Sequence, residues 1–102
     1  VIADAGLPCV VSSALDTSVG LGMGAFLAAA AMTPGYAAGL GTAAMFAGDV
    51  TADPLLPVGG RVPVRRVDVA AELVERYAAS PERTAWWRER VARVHALVAA
   101  AG

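Results

Sequence analysis

The sequence predicts an α/β fold with parallel strands, each followed by a helix. Two short apolar runs without polar alternation, at residues 9–11 and 36–40, are typical of strands buried on both faces. Helix-like segments follow both runs after short links, which is the order of parallel α/β units. No charged residue occurs from Thr17 to Gly48, so this stretch is expected to lie almost entirely in the interior of a larger structure.

The composition narrows the classes of protein that fit. The chain has 102 residues, of which 57% are hydrophobic and 17% are charged, with a net charge of −1. The apolar content excludes a disordered chain, and the balanced charge gives no overall field for nucleic acid or an anionic membrane. All eight basic residues are arginines, so no lysine base or Schiff base is present. The lone Cys9 and His95 exclude an internal disulfide framework and a Cys-rich zinc site.

The first half of the chain divides into short elements. Gly6 is expected to end a preceding helix in the left-handed conformation. After the first strand, Asp16 or Ser18 is suited to cap a helix that runs to about Met32. Residues 33–35 (Thr-Pro-Gly) predict a turn before the second strand, and residues 42–47 predict a short helix.

The second half changes character after residue 53. A loop rich in Pro and Gly leads to residues 62–67, which alternate as an exposed strand or extended arm. Asp68 is expected to cap one amphipathic helix, and Ser80 with Pro81 to begin another. The first helix is predicted to turn Leu73, Val74 and Tyr77 inward. The second carries one apolar stripe, made of Trp87, Val91, Val94, Val98 and Ala101.

Several motifs have simpler interpretations than their first appearance suggests. The glycine pattern at residues 20–24 resembles half of a dinucleotide-binding fingerprint, but lacks the strand-to-glycine turn and the following acid, which favours close helix packing. The apolar run at residues 19–32 is too short to span a bilayer and has no basic flank. The N-terminus does not resemble a signal peptide. We therefore expect no membrane span and a cytoplasmic location.

The candidate site follows from position. Ser12, Ser13 and Gly39 fall where the two predicted parallel strands end. In α/β sheets and barrels, ligands bind at this carboxyl edge. Ser12 and Ser13 lack a nearby histidine and a Gly-x-Ser-x-Gly elbow, so a binding role is favoured over a hydrolytic one.

Residues 10–22 resemble the strand-seven segment of o-succinylbenzoate synthases, in the enolase superfamily. Residues 39–42 and 48–58 resemble the actinobacterial branch of that family. The resemblance covers nearly the whole chain and is strongest over residues 8–67. It implies the C-terminal part of a modified TIM barrel, with strands seven and eight and their helices in residues 1–60. Residues 61–102 would then form an arm and helices that pack on the barrel or on a capping domain.

The resemblance also implies an activity. The family dehydrates 2-succinyl-6-hydroxy-2,4-cyclohexadiene-1-carboxylate to 2-succinylbenzoate in menaquinone biosynthesis, using Mg²⁺ and two lysines. Both lysines and the metal ligands would lie outside this chain, in an N-terminal part that would be its partner. Ser12, Ser13 and the Gly39 N–H match substrate-binding positions for a carboxylate, and Asp16 matches a position that is commonly Glu. We expect no catalytic residue and no metal ligand within the chain itself. We also expect no nucleic-acid partner.

Two alternatives remain open at this point. Another enolase-superfamily enzyme, such as an N-acylamino acid racemase, uses the same lysines and metal. A dipeptide epimerase is disfavoured, because residues 39–41 read Gly-Leu-Gly instead of Asp-x-Asp. The other class is a non-enzymatic apolar helical or membrane-associated module.

Overall fold

A computed structural model describes residues 4–102 of the chain. It contains three α-helices, α1 (Ser18–Ala31), α2 (Ala71–Arg76) and α3 (Pro81–Ala101). A short 3-10 helix at Thr42–Met45 lies between α1 and α2. The predicted bounds of α1 and α3 are therefore confirmed to within one residue, and the predicted helix at residues 42–47 is a single tight turn. Among these residues, no helix is both long and apolar enough to cross a membrane.

The two predicted strands are reduced to one contact. Ser12 and Gly39 form an isolated parallel bridge, and no extended strand is present among residues 4–102. The parallel direction is as predicted, but two complete strands are not formed among residues 4–102. Strands of a parallel sheet are covered by helices on both faces and pair with further strands along their edges. Among residues 4–102, residues 9–13 pair only with residues 33–39, which supports one bridge.

The hydrophobic core is small and lies between α1 and the chain that follows it. Its five buried members are Leu21, Ala25, Leu40, Ala43 and Leu55. Partly buried side chains pack around them, two of which, Val62 and Val67, come from the extended arm. Gly24 allows this packing, since a Cβ there would lie 2.9 Å from a methyl group of Leu40. The close-packing interpretation of the glycine pattern is therefore consistent with the structure.

The turns follow the predicted glycine chemistry. Gly6 and Gly35 both have positive φ, at 68° and 90°. The helix expected before Gly6 involves residue 3, which lies outside the described residues. Gly59 and Gly60, with φ of 56° and 73°, form the two-residue loop of a small hairpin closed by Val58 and Arg61. Positive φ at both central positions is what such a loop requires.

The C-terminal helices differ from the prediction in their burial. Neither α2 nor α3 has a buried residue. Of the three side chains predicted to turn inward, Leu73 is half-buried, Val74 is exposed, and Tyr77 is half exposed with its hydroxyl against Gly48. α2 begins after Ala70, without a side-chain cap, so Asp68 does not cap it. Ser80 does cap α3, accepting a hydrogen bond from the N–H of Arg83 at 3.2 Å. The apolar stripe of α3 is solvent-exposed among the described residues.

Candidate functional site

The Ser12–Gly39 bridge brings the two predicted strand ends together. The N–H of Ser13 donates to the carbonyl of Gly39 at 2.9 Å, and the N–H of Gly39 donates to the carbonyl of Val11 at 3.0 Å. Further along the same edge, Thr33 donates its N–H to the carbonyl of Cys9 and accepts from the N–H of Cys9 through its hydroxyl. Ser12 and Gly39 thus lie at the same end of this edge, as predicted.

The opposite edge of residues 9–13 pairs with no other part of residues 4–102. Cys9, Val11 and Ser13 use their backbone groups toward residues 33–39. In a parallel ladder the intervening residues point their backbone groups the other way. Val10 and Ser12 accordingly have no backbone hydrogen bond to any of residues 4–102. The segment therefore has the backbone pattern of a strand with one neighbour in place and one edge open.

The two neighbouring serines have different roles in this geometry. The Ser13 hydroxyl lies 2.9 Å from the carbonyl oxygen of Gly39, to which it donates, and 3.0 Å from the hydroxyl of Thr42. The Ser12 hydroxyl is exposed, and its distances to the carbonyls of Ser13 and Gly39 are both 3.4 Å. Hydroxyl donors normally approach oxygen to about 2.7–2.8 Å. Ser12 is therefore the hydroxyl that can turn to a ligand, whereas Ser13 is held in place.

Gly39 matters for the site through its missing side chain and not through its backbone N–H. Its N–H is already committed to Val11, so the predicted use of that N–H for a substrate carboxylate does not fit this geometry. A Cβ at this position would overlap the Ser12 hydroxyl. The absence of a side chain is therefore what leaves room for that hydroxyl to stand at the edge.

Asp16 is not brought into hydrogen-bonding contact with the bridge. Its carboxylate accepts from the N–H of Ala14 at 3.2 Å and lies against Gly20 in the first turn of α1. It does not cap α1, whose N-cap is Thr17 with no side-chain hydrogen bond. The structure therefore gives Asp16 a role in shaping the turn between Ser13 and α1.

Two further residues join the segments on either side of the bridge, and the sequence reasoning missed both. Thr42 reaches Ser13 from the 3-10 helix, and Asp49 binds the start of α1 at Ser18. Thr42 could have been found as a hydroxyl that follows Gly39 by three residues. Asp49 is the first charged residue after the charge-free stretch of residues 17–48. A single carboxylate next to so long an apolar stretch could have indicated a structural role.

The described residues do not form a magnesium site. Among residues 4–102 there is no group of three Asp, Glu, His or Cys side chains close enough to hold a metal ion. Mg²⁺ takes oxygen ligands in a near-octahedral arrangement, usually including carboxylates. The residues present thus do not fit the metal that the resemblance implies, and a Mg²⁺ ion would need ligands from beyond these residues.

Comparison with curated proteins identifies relatives of the chain. It is 48% identical over 93 residues to the o-succinylbenzoate synthase of Thermobifida fusca, which is 91% of this chain and 28% of that protein. The enzymes of Mycolicibacterium smegmatis and Mycobacterium leprae, also named o-succinylbenzoate synthase, are 44% and 42% identical over 92 residues. The chain is a homologue of a C-terminal portion of the o-succinylbenzoate synthases. No protein-family model matches it.

The similarity to o-succinylbenzoate synthases confirms the resemblance that residues 10–22, 39–42 and 48–58 carry. The chain spans a little more than a quarter of the length of these relatives, 27–28% in the three proteins above. The bridge and its hydroxyls are therefore matched to one portion of a longer protein. The open edge of residues 9–13 is consistent with that, since a partner strand would have to come from elsewhere.

Proposed function

We propose that this chain forms the substrate-carboxylate-binding edge of an o-succinylbenzoate synthase. The reaction would convert 2-succinyl-6-hydroxy-2,4-cyclohexadiene-1-carboxylate to 2-succinylbenzoate, losing one proton and one hydroxide as water. The observation that carries the proposal is the 48% identity over 91% of the chain, combined with the parallel bridge that places Ser12 and Gly39 at one edge. The acid–base lysines and the Mg²⁺ of this lyase would come from the part of the relatives that the chain does not span.

The chemical contribution of the chain would be positioning. Ser12 would exchange two long contacts at 3.4 Å for one charge-assisted hydrogen bond to a carboxylate oxygen. Ser13, locked to Gly39 and Thr42, would hold the backbone in place while Ser12 turns. Fixing the substrate in one orientation raises the effective concentration of the reacting groups without any chemistry by the serine itself.

The architecture we propose is the C-terminal part of a modified TIM barrel, in a cytoplasmic enzyme. Residues 1–60 would provide the last two strands and their helices, and the open edge at Val10 and Ser12 supports a further parallel strand there. Residues 61–102 would pack on the barrel or on a capping domain. The exposed apolar stripe of α3 supports this packing, because an amphipathic helix normally buries that stripe.

Turnover by the full-length protein that contains this chain tests the proposal. The purified protein with Mg²⁺ should convert the cyclohexadiene substrate to 2-succinylbenzoate, followed by ultraviolet absorbance and product chromatography. The Ser12→Ala variant should show a higher KM. Absence of conversion by a folded, magnesium-loaded protein would contradict the proposal. Racemisation of N-acylamino acids in its place would favour the alternative within the enolase superfamily.

A further inference from the structure

The start of α1 is held by a carboxylate from a distant loop. Asp49 accepts hydrogen bonds from the N–H of Ser18, at 3.0 and 3.2 Å to its two oxygens, and from the Ser18 hydroxyl. It also accepts from the N–H of Val50 at 2.7 Å. The Ser18 hydroxyl in turn accepts from the N–H of Leu55 at 2.7 Å. We refer to Ser18, Asp49, Val50 and Leu55 as the Asp49 network.

Burial and complete hydrogen bonding give the Asp49 network a fixed geometry. Ser18 and Leu55 are completely buried, and no buried polar side-chain atom of the described residues is left without a partner. Helix N-termini favour negative charge, and α1 supplies none, having no acid in its first turn and no side-chain cap. Asp49 therefore provides the capping charge that the local sequence of α1 lacks. It also occupies the Ser18 N–H, which is then not available to an anionic ligand.

The network lies just beyond the candidate site on both segments. Ser18 is six residues after Ser12, at the end of the turn that Asp16 shapes, and Asp49 follows the 3-10 helix that begins three residues after Gly39. The backbone bridge and the Ser13 hydroxyl join the two segments beside Ser12, and the Asp49 network joins them again at the start of α1. Contacts at two separate places restrict both the separation and the rotation of the segments.

We infer that Asp49 is a positioning residue for substrate binding, acting through Ser18 on the segment that carries Ser12 and Ser13. This rests on the proposed function for its substrate. The lysines and metal that would do the chemistry lie outside this chain, so loss of Asp49 should displace the carboxylate-binding hydroxyl and leave the reacting groups in place. Its loss should therefore raise KM much more than it lowers kcat.

The test uses the full-length protein that contains this chain, with Asp49→Asn and Ser18→Ala. The amide of Asn presents an NH₂ group where one carboxylate oxygen accepted, so the donors of either Ser18 or Val50 lose an acceptor with almost no change of volume. Ser18→Ala removes the hydroxyl that donates to Asp49 and accepts from Leu55, and keeps the bond from the N–H of residue 18 to Asp49. The matched control is Asp53→Asn, since Asp53 is an exposed acid of the same loop that pairs with Arg65 at 2.9 Å on the surface. Surface pairs of that kind contribute little to stability.

We expect KM to rise about tenfold in both network variants, with kcat changed by less than about threefold, and Asp53→Asn to match the parent. A purely structural role would lower the folded fraction, and with it the apparent kcat, while leaving KM unchanged. Equal KM values in Asp49→Asn and Asp53→Asn would overturn the inference. If neither network variant folds, the network is a requirement of folding and the inference also fails.

Hydrogen exchange separates this inference from the proposed function. In Asp49→Asn, amides of residues 13–18 should exchange faster while those of α3 stay unchanged, and Asp53→Asn should alter neither. This outcome does not depend on any substrate. If the parent protein shows no dehydration but the exchange pattern holds, the proposed function fails, and the fixing of residues 13–18 by Asp49 stands. If exchange rises uniformly or not at all, the positioning role is wrong.

Discussion

The N–H of Gly39 donates to the carbonyl of Val11, 3.0 Å away, and this bond decides which groups at the candidate site are available to a ligand. The bond commits the N–H of Gly39 to the pairing of residues 9–13 with residues 33–39. The Ser13 hydroxyl is likewise committed, to Gly39 and Thr42. Ser12 remains as the exposed hydroxyl with only long contacts, so the binding role that we propose falls on this one side chain.

The difference between the two serines gives the first prediction. In the full-length protein, Ser12→Ala should raise KM about tenfold, because a hydrogen bond to a charged group is worth about 1.5–3 kcal/mol. Its free energy of unfolding should change little. Ser13→Ala should instead lower the free energy of unfolding by about 1 kcal/mol. Steady-state kinetics and urea unfolding measure both effects, and equal KM and stability changes in the two variants would contradict the distinction.

Gly39 gives the second prediction. Gly39→Ala should impair substrate binding more than Ser12→Ala, because the added methyl group overlaps the Ser12 hydroxyl and comes within 3.0 Å of its Cβ. Gly41→Ala is the control, since a Cβ there meets only a ring carbon of Pro57 at an ordinary 3.7 Å. In a Ser12→Gly background, Gly39→Ala should cost much less, giving a non-additive double-mutant cycle. Additive effects would show that the overlap is not the cause.

The sequence predicted the parts of this structure that local chemistry determines. α1 lies between the predicted cap region and the predicted turn at residues 33–35, α3 begins at the predicted Ser80-Pro81 start, and the parallel direction of the Ser12–Gly39 pairing is also as predicted. The Asp49 network was not, because a cap supplied from 31 residues away leaves no local signature. The inward faces of α2 and α3 were predicted from amphipathicity, which gives the apolar side of a helix but not its partner.

Exposure of apolar surface gives the third prediction, for the 102-residue chain alone. Its radius of gyration is 16.5 Å, whereas a compact domain of about 100 residues has about 13 Å. Its core has five buried hydrophobic residues, and Trp86, Trp87 and many aliphatic side chains are exposed. We expect the isolated chain to bind a hydrophobic dye such as ANS and to unfold in urea without a cooperative transition. A sharp two-state transition without dye binding would contradict this.

The start of α3 gives the fourth prediction, which concerns pH. Hydrogen bonds from the Ser80 hydroxyl and from the backbone N–H of Glu82 itself lower the pKa of Glu82 below its usual value near 4.5. A carboxyl with a lowered folded-state pKa stabilises the helix above its unfolded pKa, and that stabilisation is lost as pH falls through the folded pKa. Circular dichroism should show more helix in the parent than in Glu82→Gln at pH 7. The two should converge as the pH falls below the lowered pKa of Glu82, and a constant difference would contradict the role of the charge.

The apolar stripe of α3 gives the last prediction, which tests whether residues 61–102 pack against the rest of a longer protein. Val94, half exposed in this chain, lies on the stripe, whereas Ala96 lies about 200° further around the helix. In the isolated chain, Val94→Asp and Ala96→Asp should have similar small effects on helicity, because neither side chain is buried.

In the full-length protein the same two substitutions should differ in their effect on the free energy of unfolding. Val94→Asp would place a charge in a covered apolar contact and should lower the free energy of unfolding by about 3 kcal/mol, whereas Ala96→Asp should stay within about 0.5–1 kcal/mol of the parent. Denaturant unfolding of the four proteins measures this. Equal effects of the two substitutions in the full-length protein would mean that the stripe of α3 remains in solvent, and the proposed packing of residues 61–102 would then be wrong.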